Sequence, residues 1–263
     1  MAEINFRKEN ISIIHGKGIK FSFDKMNRSI IIGASSGIGR GLARILAENN
    51  YKVGITGRRL NRLKELADER PASFFIKSFD ISDTDTVVQN LEELVMELGG
   101  LDLLVICSGT VNLNEKLDFR LEKFTIAINV LGFTLIADWA FNYFQNQKSG
   151  HLVAISSIGG LWGWRDTPAY NASKAFQICY LEGLRNKTFH NGSPIIISDI
   201  RPGYVDTDMA IGGYKFWVAP VNKVVRQIFN AIRNRKKVVY VTRRWRMIAF
   251  LIKLVPNWAH ERA

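Results

Sequence analysis

Between Ser29 and Thr242, short β-branched runs alternate with longer segments whose apolar residues recur at helical spacing. Few folds accept that alternation, because parallel strands need long crossovers and a helix is the usual crossover. The runs are apolar on both alternating faces, as strands covered from both sides must be. The pattern predicts an α/β fold, a doubly wound parallel sheet of about seven strands with helices on both faces. Strands are expected over Ser29 to Gly33, Lys52 to Gly57, Ser73 to Ile76, Leu101 to Ile106, His151 to Ser156, Pro194 to Ile200 and Val238 to Thr242. Helices are expected over Gly37 to Asn49, Leu60 to Glu69, Thr84 to Leu98, Asp118 to Gln145, Pro168 to Phe189 and Val221 to Arg233.

A chain of 263 residues that is 47% hydrophobic can bury one substantial core. A single domain over 26–263 is expected, preceded by an extension over 1–25 that has no strong period. Its opening, "MAEINFRKENISIIHG", lacks the basic-then-apolar order of a signal peptide. The uninterrupted apolar stretches fall short of the roughly 20 residues of a membrane span. Cys107 and Cys179, both in apolar segments, read as reduced core residues. A cytoplasmic protein is expected, with possible peripheral contact at a membrane. The net charge is +12, and from Lys215 to Ala263 there are 12 Lys or Arg against the single acid Glu261. Such a patch can attract phosphate, anionic lipid or nucleic acid, and composition does not choose among them.

"GASSGIG", Gly33 to Gly39, joins the first apolar strand to a helical segment. There Gly33 can permit a tight turn, Gly37 lets backbone approach a pyrophosphate, and Gly39 lets strand and helix pack closely. The helix N-terminus then faces the anion, with Ser35 and Ser36 adding hydroxyls. Alone, such a loop is as often an ordinary turn; the flanking strand and helix favour binding. The second strand ends "GITGRR", without the acid that would hold an adenosine ribose. Gly57 leaves room, and Arg58 or Arg59 can pair with a 2′-phosphate, which favours NADP over NAD. Paired arginines at a helix start can also simply face solvent, although the helix dipole disfavours them there. Asp80 can accept from an adenine amino group or cap a turn.

Tyr170 and Lys174 are four residues apart and share a helix face, where an ammonium can lower a phenol pKa. Ser157 follows the strand "HLVAIS" at its C-terminal end, where open α/β sheets bind ligands, and it can hydrogen-bond a carbonyl oxygen. Taken singly, Ser157 is also a cap and Asn129, in "AINVLGF", a packing or kink residue.

Together these residues resemble the short-chain dehydrogenase/reductase family, over Met26 to about Thr242. Gly33 to Gly39 is similar to its glycine motif and Asp80 to its adenine-site acid. Asn129, Ser157, Tyr170 and Lys174 are similar to its catalytic four, Ser157 preceding Tyr170 by 13 positions. "RPGYVDTDM" resembles the segment beside the nicotinamide, where Pro202 and Gly203 shape the loop and Thr207 reaches toward the carboxamide or phosphates. The resemblance implies a Rossmann-type sheet, a nicotinamide cofactor, which Arg58 and Arg59 select as NADP(H), and a homodimer or homotetramer. It places Ile38, Ile81 and Gly109 in the cofactor site with Gly33, Ser35, Ser36, Gly37, Gly39, Arg58, Arg59, Asp80, Tyr170, Lys174, Pro202, Gly203 and Thr207. The implied reaction is hydride transfer between the nicotinamide and a ketone or secondary alcohol. Tyr170 gives the proton and Ser157 polarises the oxygen. Lys174 holds the ribose and lowers the Tyr170 pKa, and Asn129 holds a water linking Lys174 to solvent. One departure is "ICSG", Ile106 to Gly109, in place of an Asn-Asn-Ala-Gly turn; Ser108 is expected to substitute in part for the missing asparagines.

The loops "GGLWGWRD" and "MAIGGYKFWVAP" are expected to flank the substrate. Leu161, Trp162, Trp164, Tyr214, Phe216 and Trp217 suit a bulky or lipid-like carbonyl, and suit packing or subunit contact equally. No metal-ligand spacing is evident. The tail "RRWRMIAFLIKLVPNWAHER", Arg243 to Arg262, carries Trp245, Ile248, Phe250, Leu251, Ile252 and Leu254 among Arg243, Arg244, Arg246 and Lys253. It reads as a helix covering the cleft, as a subunit contact, or as a segment lying in a membrane interface. Nucleic acid is not an expected partner, since no recognition module is present. The alternative to a reductase is an NADP-dependent regulatory or binding protein on the same scaffold.

Overall fold

The computed structural model describes residues 27–209 and 217–254. The extension over 1–25, Tyr214 and Phe216 therefore lie outside the described residues. Seven parallel strands are β1 (Arg28–Ile32), β2 (Lys52–Thr56), β3 (Phe74–Lys77), β4 (Leu103–Ile106), β5 (Gly150–Ile155), β6 (Ile195–Pro202) and β7 (Val238–Val241), in the order β3-β2-β1-β4-β5-β6-β7. The helices are α1 (Gly37–Glu48), α2 (Leu60–Asp68), α3 (Thr84–Leu98), α4 (Phe119–Ile126), α5 (Phe133–Gln147), α6 (Pro168–His190), α7 (Val221–Arg233) and α8 (Arg244–Leu254).

Strand period two divides the core into two layers. Ile31 of β1 and Leu103 and Val105 of β4 pack with Leu42 and Leu46 of α1 and with Val224 and Ile228 of α7. Their neighbours Ile30, Ile32, Leu104 and Ile106 point the other way, onto Leu91 of α3, Phe133, Ile136 and Phe144 of α5, and Leu181 of α6. Each fully buried aliphatic side chain contributes about 1.5–3 kcal/mol, so a one-residue slip of either strand would be prohibitive. Strand order reverses between β1 and β4, and a crevice opens there beyond the strands' C-terminal ends.

The segment expected as one helix over Asp118 to Gln145 is α4 and α5 joined through a π-helical turn, Ala127–Gly132. Asp118 is the cap rather than the first turn, its carboxylate accepting from Arg120 N at 2.9 Å. Phe119–Gln147 is long and apolar enough by composition to cross a bilayer, unlike the shorter runs apparent in the sequence, but half of its apolar window is buried in the domain. Gly132 explains the close packing of that turn: a Cβ there would stand 2.4 Å from the Ile81 carbonyl oxygen. The expectation for the cysteines holds only for Cys107, which is partly buried; Cys179 is exposed, because α6 turns its outward face to solvent at that position.

Candidate active site

The crevice is a cleft of about 920 Å³ lined by Gly33, Ser35, Ser36, Gly37, Ile38, Gly39, Arg58, Arg59, Asp80, Ile81, Gly109, Ser157, Tyr170, Lys174, Pro202, Gly203 and Thr207. Of the catalytic and cofactor residues derived from the sequence, Asn129 alone stands behind the wall, fully buried.

At the first βα junction Gly33 turns the chain with φ +90°, and a Cβ would meet Ser108 N at 2.8 Å. Gly39 lies so close under the loop that a Cβ would stand 2.1 Å from the Gly33 oxygen, which fixes how tightly α1 docks on β1. Ser36 precedes α1 without using its side chain to cap it. The N-terminal N–H groups of α1 are thus presented to the cleft, and Thr207 stands opposite Gly37.

The two arginines are held differently. Arg59 donates to Ser35 Oγ at 2.8 Å and to Ser36 Oγ at 2.7 Å. Arg58 reaches across to Asp80 at 3.4 Å and lies over the Phe124 ring at 5.8 Å, with 54% of its side chain exposed. Burial pushes the Asp80 carboxyl up, but hydrogen bonds from Ser82 N and Oγ and the Arg58 charge outweigh it and leave it below its usual value.

At the other end the strand termini are locked together. Ser156 donates to the wholly buried Asp199, which pairs with Arg201 at 2.7 Å; Arg201 then donates to Tyr240 OH at 3.0 Å. This chain ties β5, β6 and β7 directly beneath Ser157 and Pro202. Ser157 caps a 3-10 turn, Ile158–Leu161, its Oγ accepting from Gly159 N at 3.0 Å. Because Oγ accepts there, its O–H proton can be directed at a ligand oxygen. The capping and binding readings of this serine are compatible.

Lys174 Nζ donates to the Ile155 carbonyl at 3.0 Å and to Gln177 Oε1 at 2.9 Å. Burial pushes this lysine down to about 8, against the charge of Asp199. Lowering of the Tyr170 phenol by Lys174 is not found in the chain itself. Burial raises the phenol, a hydrogen bond with Ser157 opposes that rise, and the ammonium stands 5.9 Å from the ring centre with two donors turned elsewhere. Burial also pushes the Cys107 thiol up to about 12, so it is a neutral wall of the cleft.

Asn129 sits in the π turn and exchanges two hydrogen bonds with Thr110, at 2.9 and 2.8 Å, while donating to Ser173 Oγ at 3.0 Å. Thr110, not Ser108, thus braces the loop after β4. Ser108 Oγ is buried without a hydrogen-bond partner among the described residues, so the expected substitution for the missing asparagines fails: a serine is too short to span neighbouring strands. An orphaned hydroxyl, a glycine-bearing loop at the N-terminus of α1 and a pre-positioned guanidinium in one cleft together fit a dinucleotide.

Trp162 and Trp164 line the cleft, and Tyr204, Met209, Trp245 and Ile248 join them. Leu161 and Trp217 are not among the lining residues. Trp245 covers Gly203 so closely that a Cβ on that glycine would meet its indole at 2.1 Å. Sequence reasoning grouped Trp245 with apolar residues available to a membrane, but it is buried with Ala249; the exposed apolar side chains described on α8 are Met247, Phe250 and Leu251, and those of Ile252, Lys253 and Leu254 lie outside the described residues. Ser173 and Gln177 were missed. Gln177 had a signal, since 170, 174 and 177 follow the i, i+4, i+7 stripe of one helix face.

Residues 27–214 match the sequence profile of short chain dehydrogenases. An uncharacterized oxidoreductase of Myxococcus xanthus is 34% identical over 187 residues, which cover 69% of this chain and 73% of that protein. Among solved structures, a short chain dehydrogenase/reductase from Burkholderia phymatum in complex with NAD superposes with a TM-score of 0.77 at 18% identity, covering 88% of this chain and 94% of that one. ElxO with NADP bound gives a TM-score of 0.71 at 23% identity, covering 82% and 97%. With the seven-stranded parallel sheet and the matched profile, the chain belongs to the short-chain dehydrogenase/reductase family of oxidoreductases.

Proposed function

We propose that the chain is an NADPH-dependent reductase of a bulky, apolar ketone or aldehyde, and the reverse dehydrogenase of the matching alcohol. The observation that carries this reading is the pairing, within one cleft, of Tyr170, Ser157 and Lys174 at one end with the Ser35–Ser36–Arg59 cluster at the other.

Arg59 offers a 2′-phosphate a charge-assisted pair that a 2′-hydroxyl cannot return. Arg58 is close enough to join by leaving Asp80. The glycine loop and the start of α1 receive the pyrophosphate, Asp80 and Ile81 flank the adenine, and Gly109, Pro202, Gly203 and Thr207 flank the nicotinamide. When bound, the cofactor supplies the hydride. The chain supplies the rest: Ser157 donates to the carbonyl oxygen, and Tyr170, a neutral acid at the pH of the cell, holds the proton that this oxygen takes. Lys174 has a third N–H left for the ribose. Asn129 orders the wall behind them, and Trp162, Trp164, Tyr204 and Ile248 give the apolar volume.

Two features outside the cleft extend this reading. Phe119, Phe124, Ile126, Leu131 and Phe176 are exposed around α4, the π turn and α6, and suit association into a dimer or tetramer. Arg243 and Arg246 beside Met247, Phe250 and Leu251 suit shallow contact with an anionic membrane, from which a lipid-like carbonyl could be drawn. The test is single-turnover oxidation of NADPH and of NADH against aromatic, cyclic and long-chain carbonyls, with Tyr170→Phe as control. Carbonyl-dependent oxidation of NADPH, absent from the variant, supports the assignment. Oxidation favouring NADH would overturn the cofactor, and none with any carbonyl would turn attention to a regulatory role.

A further inference from the structure

Helix α6 carries a third polar side chain on the stripe of the reactive pair. Gln177 is only 1% exposed, and both ends of its carboxamide are engaged. Its Oε1 accepts from Lys174 Nζ at 2.9 Å, and its Nε2 donates to the main-chain carbonyl of Asn129 at 2.9 Å. That carbonyl belongs to the π turn Ala127–Gly132, where the α-helical hydrogen-bond ladder is interrupted. A buried amide with two correct partners is stable there; an apolar side chain in its place would leave a carbonyl and an ammonium proton unmatched.

We propose that Gln177 is a positioning residue of the reactive centre, tying the Lys174 ammonium to the π-turn carbonyl of Asn129 and thereby leaving one Lys174 N–H directed at the cleft. Ile155 O takes the first proton and Gln177 the second, so the orientation of the third follows from tetrahedral geometry. The amide spans the gap between Lys174 and Asn129 that the family resemblance assigns to a relay water. An amide neither gains nor loses a proton near neutral pH, so this link passes orientation and not protons. What Lys174 then does for a bound cofactor rests on the proposed function; the tie itself does not.

The charged and titratable groups facing Lys174 are few. Tyr170 lies on its own helix, Cys107 follows β4, and Asp199 lies on β6 with its charge already paired to Arg201. Tyr204 faces Tyr170 from beyond β6. Gln177 is thus the uncharged side chain that, with the Ile155 carbonyl, holds the ammonium in place.

The test is direct titration of Lys174 in the full chain without cofactor, by NMR of lysine labelled at the side-chain nitrogen, assigned through Lys174→Met. Gln177→Leu is expected to lower the midpoint by about one pH unit, the worth of one lost hydrogen bond to a charged group. Gln177→Glu, nearly isosteric, is expected to raise it by at least as much and keeps the test available if the leucine variant misfolds. Midpoints unmoved in the folded variants would overturn the proposal. With a reducible carbonyl, the alkaline limb of kcat should move with the NMR midpoint, whereas a purely structural residue would lower kcat without moving the limb. A shifted midpoint with no carbonyl reduced by the wild type would sustain the tie and refute the reductase.

Discussion

At the proposed reacting end of the cleft Asn129, Lys174 and Gln177 are buried and joined to one another's segments by hydrogen bonds, whereas at the end proposed for the adenosine Arg58 keeps more than half of its side chain in water. The contrast is physical before it is functional. A buried charge must have its partners fixed in advance, since a missing one costs several kcal/mol, while an exposed charge can exchange partners at little cost. The buried end can therefore tune proton affinities. The exposed end can select among ligands that differ by a phosphate.

The most severe break of the comparison is at Tyr170. Tyr170→Phe keeps the ring and removes the proton, so turnover is expected to fall about 10³-fold, within the range of a lost general acid. NADPH affinity, governed from the other end, should change less than about 2-fold by fluorescence titration. A large loss of affinity would show that the two ends are not separable.

Lys174 gives the next largest effect, on stability. Burial holds it at about 8 where the unfolded chain has 10.5. Between those values the unfolded state binds more protons, so stability rises with pH and is lost as pH falls through about 8. The span corresponds to about 3 kcal/mol. Tyr170, raised by burial, acts with the opposite sign above pH 10. Denaturant unfolding from pH 8 to 10 should thus show a rising slope that Lys174→Met flattens. An unaltered slope would place the buried charge elsewhere.

At the exposed end, Arg59→Ala should weaken NADPH by about 10- to 100-fold, the loss of one charge-assisted pair, and leave NADH nearly unchanged. Arg58→Ala should cost less, because that guanidinium must first leave Asp80. The order reverses if the 2′-phosphate sits nearer Arg58, and paired dissociation constants for both cofactors decide it.

How far the sequence could be read follows the same division. The glycine loop, Arg58, Arg59 and Asp80 lie in consecutive strand-loop-helix units, where local pattern and charge reveal them. The reacting end is assembled across the chain: Asn129 bonds Ser173 across 44 positions, and Gln177 bonds the Asn129 carbonyl across 48. Tyr170 and Lys174 could be paired by helical spacing, but nothing local announces that a π turn will bring Asn129 to meet them. Helix period likewise showed α8 to be apolar without showing which side Gly203 would claim. Only Gly203, 42 residues before Trp245, leaves the space that the indole fills.

That division of α8 sets the smallest expected effect. Trp245 and Ala249 face the domain, so among the described residues of α8 a membrane contact would use Met247, Phe250 and Leu251, at i, i+3 and i+4 on one exposed side. Arg243 and Arg246 are exposed beside them, while Arg244 lies over the Trp217 ring at 5.0 Å. Three apolar groups and two cations, each cation worth about 1 kcal/mol at an anionic surface, predict weak binding that salt reduces. Phe250→Ser should lower binding to phosphatidylserine vesicles a few-fold without unfolding the domain, since that ring is 64% exposed. Trp245→Ser should instead loosen α8 over Gly203 and disturb turnover more than vesicle binding. Sedimentation at low and high salt separates the two faces: no binding of folded wild type at low salt would leave α8 as a cover for the reacting end and nothing more.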